Sequence, residues 1–135
     1  MYNDITPAGV SVLADGLRNK NSRVKVLILS QNRISDGGVR SLAAAAMTNS
    51  TLESLDLSEN DISDEGATCL AEMIEKNTHL VELILGQNTI GNEGVKMFAK
   101  SLAHPAASLQ VLILRNNRKI SNGSVEHFTS MMENN

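Results

Sequence analysis

A leucine pattern returns in this chain at a fixed phase, and few folds can accept it. Four stretches share one template: Val24-x-x-Leu27-x-Leu29-x-x-Asn32-x-Ile34, Leu52-x-x-Leu55-x-Leu57-x-x-Asn60-x-Ile62, Leu80-x-x-Leu83-x-Leu85-x-x-Asn88-x-Ile90 and Leu109-x-x-Leu112-x-Leu114-x-x-Asn117-x-x-Ile120. Units of this length cannot bury an apolar face alone and must stack on their neighbours, so the pattern predicts a solenoid. A stacked solenoid presents one long surface of the kind that holds other proteins.

The second half of each unit reads as a helix. Apolar runs begin at Val10, Val39, Ala67, Val95 and Val125. Three positions on stand Leu13, Leu42, Leu70, Phe98 and Phe128, and seven positions on stand Leu17, Ala46, Ile74, Leu102 and Met132. Spacing of i, i+3, i+7 places each set on one helical face. Gly9, Gly38, Gly66 and Gly94 precede four of the runs, and Asp36, Asp64, Glu65 and Glu93 stand near helix starts, where the helix dipole favours acids. The segment before each turn, such as 24–29, has room only for a strand. Strands that return through helices in one sense must pair in parallel, by right-handed crossovers. Leu27, Leu29, Leu55, Leu57, Leu83, Leu85, Leu112 and Leu114 then point at the helices. Strands about 4.8 Å apart beside helices about 10 Å wide force an arc with the strands on its concave side. The expected fold is therefore an α/β right-handed solenoid.

Asn32, Asn60, Asn88 and Asn117 form a column with its own logic. The turn leaving each strand strands buried amides and carbonyls, and an Asn side chain can donate and accept at once. With that column in place, the core followed by a glycine-containing helix start resembles the leucine-rich repeat family. The likeness is nearest to its intracellular, ribonuclease-inhibitor-like class with 28–29-residue repeats. The resemblance spans 3–135. It implies a horseshoe arc and recognition of another protein through the concave sheet and its adjoining loops, without cofactor or metal.

Within that frame the chain is one domain: a half repeat at 3–23, because Asn3-x-Ile5 matches Asn32-x-Ile34, then repeats 24–51, 52–79, 80–108 and 109–135. Neither end reads as a polar cap, so a longer array is expected, with self-association through exposed stack ends as a further expectation. The outward strand and rim positions are the candidate partner-binding residues: Val26, Ile28 and Gln31; Asp56 and Glu59; Glu82, Ile84 and Gln87; Val111, Ile113 and Arg115. Ile28, Ile84 and Ile113 share a column interrupted by Asp56, which suggests an apolar contact patch with a charged rim. Strand preference for β-branched residues accounts for the same isoleucines without a partner.

Composition narrows the function classes. Apolar residues make up 41%, charged residues 20%, and the net charge is −3. No basic excess favours nucleic acid or anionic membrane, and 2% aromatics leave few stacking platforms for single strands. The single Cys69 and a start without signal-peptide regions favour a cytoplasmic, intracellular setting. Several lookalikes carry no expected chemistry. Asp61-x-Ser63-x-Glu65-Gly66-x5-Glu72 mimics a calcium loop, but its glycine recurs in phase at Gly38 and Gly94. Asn49-Ser50-Thr51 and Asn122-Gly123-Ser124 read as chance sequons, and His79, His104, His127 and Cys69 share no ligand spacing. The expected function is non-enzymatic protein binding. The alternatives are regulation of a small GTPase, resembling the Ran activators, with Arg33, Asn60 and Arg115 at the rim, or assembly through the stack ends.

Overall fold

The computed structural model describes residues 3–124. Among these residues, four helices alternate with four strands, α1 (Pro7–Arg18), β1 (Val26–Ile28), α2 (Ser35–Ala46), β2 (Ser54–Asp56), α3 (Asp64–Lys76), β3 (Glu82–Ile84), α4 (Asn92–Leu102) and β4 (Val111–Ile113), and helical backbone resumes at 122–124. The strands form one parallel sheet in the order β1-β2-β3-β4. Leu27, Leu55, Leu83 and Leu112 stand in register across it, as the shared template phase requires. Each helix packs on the next, and strand leucines and helix residues bury one continuous core. The fifth apolar run, with Val125, Phe128, Met132 and His127, lies outside the described residues, as does Met1-Tyr2.

Three expectations shift. The extended segment at 24–29 forms a strand only over 26–28, because a sharp turn begins at Ser30. The helices begin before the apolar runs, so the glycines lie inside their first turns. They are there for close approach: a Cβ at Gly94 would stand 2.7 Å from Ile90 Cγ2, 2.8 Å from Asp64 Oδ1 and 2.9 Å from Ala67 Cβ. Leu13 and Leu27 are not buried like Leu42, Leu70, Leu55 and Leu83, because they face the open first end of the stack. Leu112, on the last described strand, and Leu114, just after it, are half-buried as well.

The stack is fastened by three sets of polar contacts between units. In the asparagine column, Asn60 Oδ1 accepts from Ile34 N–H while Nδ2 donates to Leu29 O and Ser58 O. Asn88 and Asn117 repeat this, donating to Leu57 O and Leu85 O of the preceding units. A second set joins helix starts. Asp36 Oδ1 accepts from the N–H groups of Ser63 and Gly66, and Asp64 Oδ1 accepts from those of Gly91 and Gly94. A third runs along the return loops, where Asn49 Nδ2 donates to Leu17 O and Asn77 Nδ2 to Ala46 O. Asn49 is thus buried and occupied within its sequon.

Candidate protein-binding face

The uncovered side of the sheet consists of two rows set by the parallel register. Val26, Ser54, Glu82 and Val111 form one row; Ile28, Asp56, Ile84 and Ile113 form the other. Ile28 is 67% exposed, whereas Ile84 and Ile113 are only half-exposed, because they sit side by side on neighbouring strands and cover each other. The three isoleucines are therefore not one evenly exposed patch. Apolar exposure concentrates at β1, and Asp56 separates Ile28 from the β3–β4 pair.

Acids on this face are held in place without being neutralised. Ser54 Oγ donates to Glu82 Oε2 at 2.7 Å, and Asp56 Oδ1 accepts from Ser58 N–H at 2.9 Å. Neither acid has a cationic partner among the described residues. At the rim, Gln31, Glu59, Gln87 and Asn116 all adopt left-handed backbone with φ of 55–60°. For residues other than glycine this conformation costs on the order of 1 kcal/mol each. It turns the chain sharply so that the following Asn faces inward and its own side chain faces out. Glu59 Oε1 accepts from both Gln31 Nε2 and Gln87 Nε2, which ties three units at the rim.

Arg115 is the cation of the strand face. A Cβ at Gly86 would lie 3.2 Å from Arg115 Cγ, so the missing side chain at Gly86 lets the arginine stem lie across the neighbouring unit. Beyond the rim lie two clefts of contrasting charge. One, of about 440 Å³, is lined by Asp4, Gln31, Asn32, Arg33, Glu59 and Asp61; Arg33 is paired with Asp4. The other, of about 690 Å³, is lined by Gln87, Asn88, Thr89, Asn116, Arg118 and Lys119. The face is acidic across β2 and β3 and basic past β4.

Of the candidate residues, Val26, Ile28, Gln31, Asp56, Glu59, Glu82, Ile84, Gln87, Val111, Ile113 and Arg115 lie on this face or its rim, and Asn32, Asn60, Asn88 and Asn117 lie beneath the rim. Asn60 is wholly buried and fully bonded, so it cannot serve as a rim contact for a GTPase. Asp4, Asp61, Arg118 and Lys119 were missed because only the rim geometry, not the repeat template, singles them out. The inter-unit bonds of Asp36, Asp64, Asn49 and Asn77 were also missed, although their 28-residue spacing was a visible signal. Most of the segment resembling a calcium loop is helical: Ser63 is the N-cap of α3, and Asp64 to Glu72 lie within that helix.

Among the described residues, no helix is long and apolar enough to cross a membrane. No curated protein sequence matches the chain significantly. Among solved structures, the fold is similar to one titled leiomodin-1 actin-binding site 2. Its TM-score is 0.84 at 18% identity, over 90% of this chain and 71% of that one. The C-terminal domain of a Caenorhabditis elegans tropomodulin is similar too, with a TM-score of 0.80 at 25% identity, over 93% and 77% of the two chains. A leucine-rich repeat model matches residues 20–43, 48–71 and 76–99, together more than half of the sequence and in step with its 28-residue period. Matched by its repeats and by its stacked parallel sheet, the chain belongs to the leucine-rich repeat family.

Proposed function

We propose that this chain is a non-enzymatic binding module that holds a partner protein against its strand face and the adjoining rim. One observation carries the reading: Asp56 and Glu82 are pinned by amide and hydroxyl donors on the open side of the sheet, have no cationic partner among the described residues, and Asp56 stands beside exposed Ile28. Side chains already fixed before contact lose little entropy on binding, and apolar surface next to unneutralised acids fits a partner with apolar anchors and a cationic rim. The twinned Gln31–Glu59–Gln87 contact holds the rim rigid in the same way.

The test is capture from lysate with the wild type, with an Ile28→Glu/Asp56→Lys/Glu82→Lys variant, and with Lys96→Glu on the helix side. Circular dichroism confirms that each is folded. A protein kept by the wild type and by Lys96→Glu but lost by the strand-face variant supports the reading. Equal recovery by all three refutes it. A second reading has its own support: the fold shared with leiomodin-1 actin-binding site 2 makes actin the first purified partner to try. Fluorescence anisotropy of labelled monomeric actin against the same variants tests it.

A further inference from the structure

The residue after the last isoleucine of each template forms a column of its own: Ser35, Ser63, Gly91 and Ser121. The next residue, at the helix start, is Asp36, Asp64, Asn92 or Asn122. These two columns meet between units. Asp36 Oδ1 accepts from Ser63 N–H, Asp64 Oδ1 from Gly91 N–H, and Asn92 Oδ1 from Ser121 N–H at 2.9 Å. Ser35 and Ser63 are half-exposed although units pack on both sides of them, so the column stays open to solvent inside the stack. Ser121 is exposed.

One change of residue type separates Ser121 from Ser63. Ser63 Oγ donates to Asp36 Oδ2 at 2.6 Å, so the second carboxylate oxygen holds that hydroxyl. Asn92 replaces the second oxygen with an amide nitrogen, which donates and cannot accept. Charge differs as well. The last template carries one more residue between its asparagine and isoleucine than the other three, which sets Arg118 and Lys119 three and two residues before Ser121. Lys119 pairs with Gly91 in a parallel bridge, which holds this segment against the start of α4. Both cations are exposed, line the cleft of about 690 Å³, and have no ion-pair partner among the described residues. Asp64 and Glu93, the acids at the same helix start, are engaged by the Gly91 and Gly94 N–H groups and by Lys96.

We infer that Ser121 is a phosphorylation site for a serine kinase with an acidic substrate groove, which reads Arg118 and Lys119. Complementary charge gives such an encounter its rate and its register. In the step, the γ-phosphoryl group of magnesium-bound ATP passes to Ser121 Oγ. An O–P bond forms there, the bond from the γ-phosphorus to the bridging oxygen breaks, ADP leaves, and the hydroxyl proton goes to the kinase's catalytic base. The phosphate brings a charge of about −1.5 to −2 at pH 7, with acceptor oxygens for Asn92 Nδ2, Arg118 and Lys119. That charge offsets the two cations past β4. At Ser63 the same group would meet the Asp36 carboxylate and be repelled. This site is independent of the strand-face reading.

The test uses the full chain with magnesium ATP and the catalytic subunit of cyclic-AMP-dependent protein kinase, and mass spectrometry maps the modified residue. Ser121 should take up phosphate and Ser63 should not. Incorporation should vanish in Ser121→Ala. The kcat/KM should fall at least about tenfold for Arg118→Ala/Lys119→Ala, since the cations are what the kinase groove reads. Both positions are exposed, so that variant stays folded, and circular dichroism checks it. Asn92→Asp should lower kcat/KM too, because a carboxylate would then take the hydroxyl as Asp36 takes that of Ser63. Absence of incorporation, or its persistence in Ser121→Ala, overturns the inference. So does an unchanged kcat/KM in either the cation variant or Asn92→Asp. Phosphorylation of a peptide matching residues 115–124 but not of the folded chain overturns it as well, because the fold would then withhold the hydroxyl.

Discussion

Replacing Asn60 with alanine tests whether the asparagine column holds the stack together. Asn60 is wholly buried, and its side chain makes three bonds: from Ile34 N–H at 3.3 Å, to Leu29 O at 2.8 Å and to Ser58 O at 2.9 Å. The three groups do not fare alike once it is gone. Ile34 N–H is left with no acceptor in a site that excludes water. Leu29 O keeps the bond from Asn32 Nδ2, and Ser58 O keeps the bond from Gln31 N–H. An orphaned buried donor costs about 1–3 kcal/mol and a carbonyl losing one of two partners roughly 0.5–1.5, so the expected loss is roughly 2–6 kcal/mol. Against typical domain stabilities of about 5–15 kcal/mol that is a large share. Asn32→Ala should cost less, roughly 1–2 kcal/mol, because its acceptor role serves Ile5 N–H at the open end, where water can substitute. Urea unfolding followed by circular dichroism measures both at a common slope. If Asn60→Ala loses less than about 1 kcal/mol, or no more than Asn32→Ala, the account of the column is wrong.

Glycine substitutions separate close approach from helix propensity. Gly94→Ala should cost about 1–3 kcal/mol through its contacts with Ile90, Asp64 and Ala67. Gly16→Ala, whose new methyl would meet nothing within 4 Å, should raise stability by about 0.5–1 kcal/mol, both read from urea midpoints. Asp36→Ala removes a carboxylate that caps the next unit's helix through Ser63 and Gly66 and should cost about 1–2 kcal/mol. By contrast, Glu65→Ala, which breaks only the exposed pair with Arg40, should cost under about 0.5 kcal/mol in the same assay. The Glu53 carboxylate, through its hydrogen bond and its charge, holds the Lys25 ammonium above its ordinary pKa of 10.5. Because the folded value is raised, the pair's contribution is present below the ordinary pKa and is lost as pH climbs through the folded one. Nuclear magnetic resonance titration should show Lys25 titrating above the ordinary value, and Glu53→Gln should bring it back down.

Periodicity in the chain was enough to determine the parallel sheet, the alternation with helices, the inward leucines and the asparagine column. Each depends on which face of a local element a residue occupies, and side-chain spacing encodes that directly. Burial is another matter, because it depends on what stands 28 residues away. Leu13 and Leu42 hold the same slot, yet only Leu42 has units packed on both sides; Leu27 and Leu55 differ for the same reason. Ile84 and Ile113 shield each other only because the register sets them side by side, while Ile28 has Asp56 as its neighbour. The left-handed turns at Gln31, Glu59, Gln87 and Asn116 break local preference, since three of the four are residue types that rarely adopt positive φ. Packing above and below holds them there. Tertiary structure alone also decided which acids meet a cation: Glu53 pairs with Lys25, whereas Glu82 accepts from a serine hydroxyl and has no cationic partner among the described residues. A repeat template sets direction and phase, but exposure and charge are properties of neighbours in space.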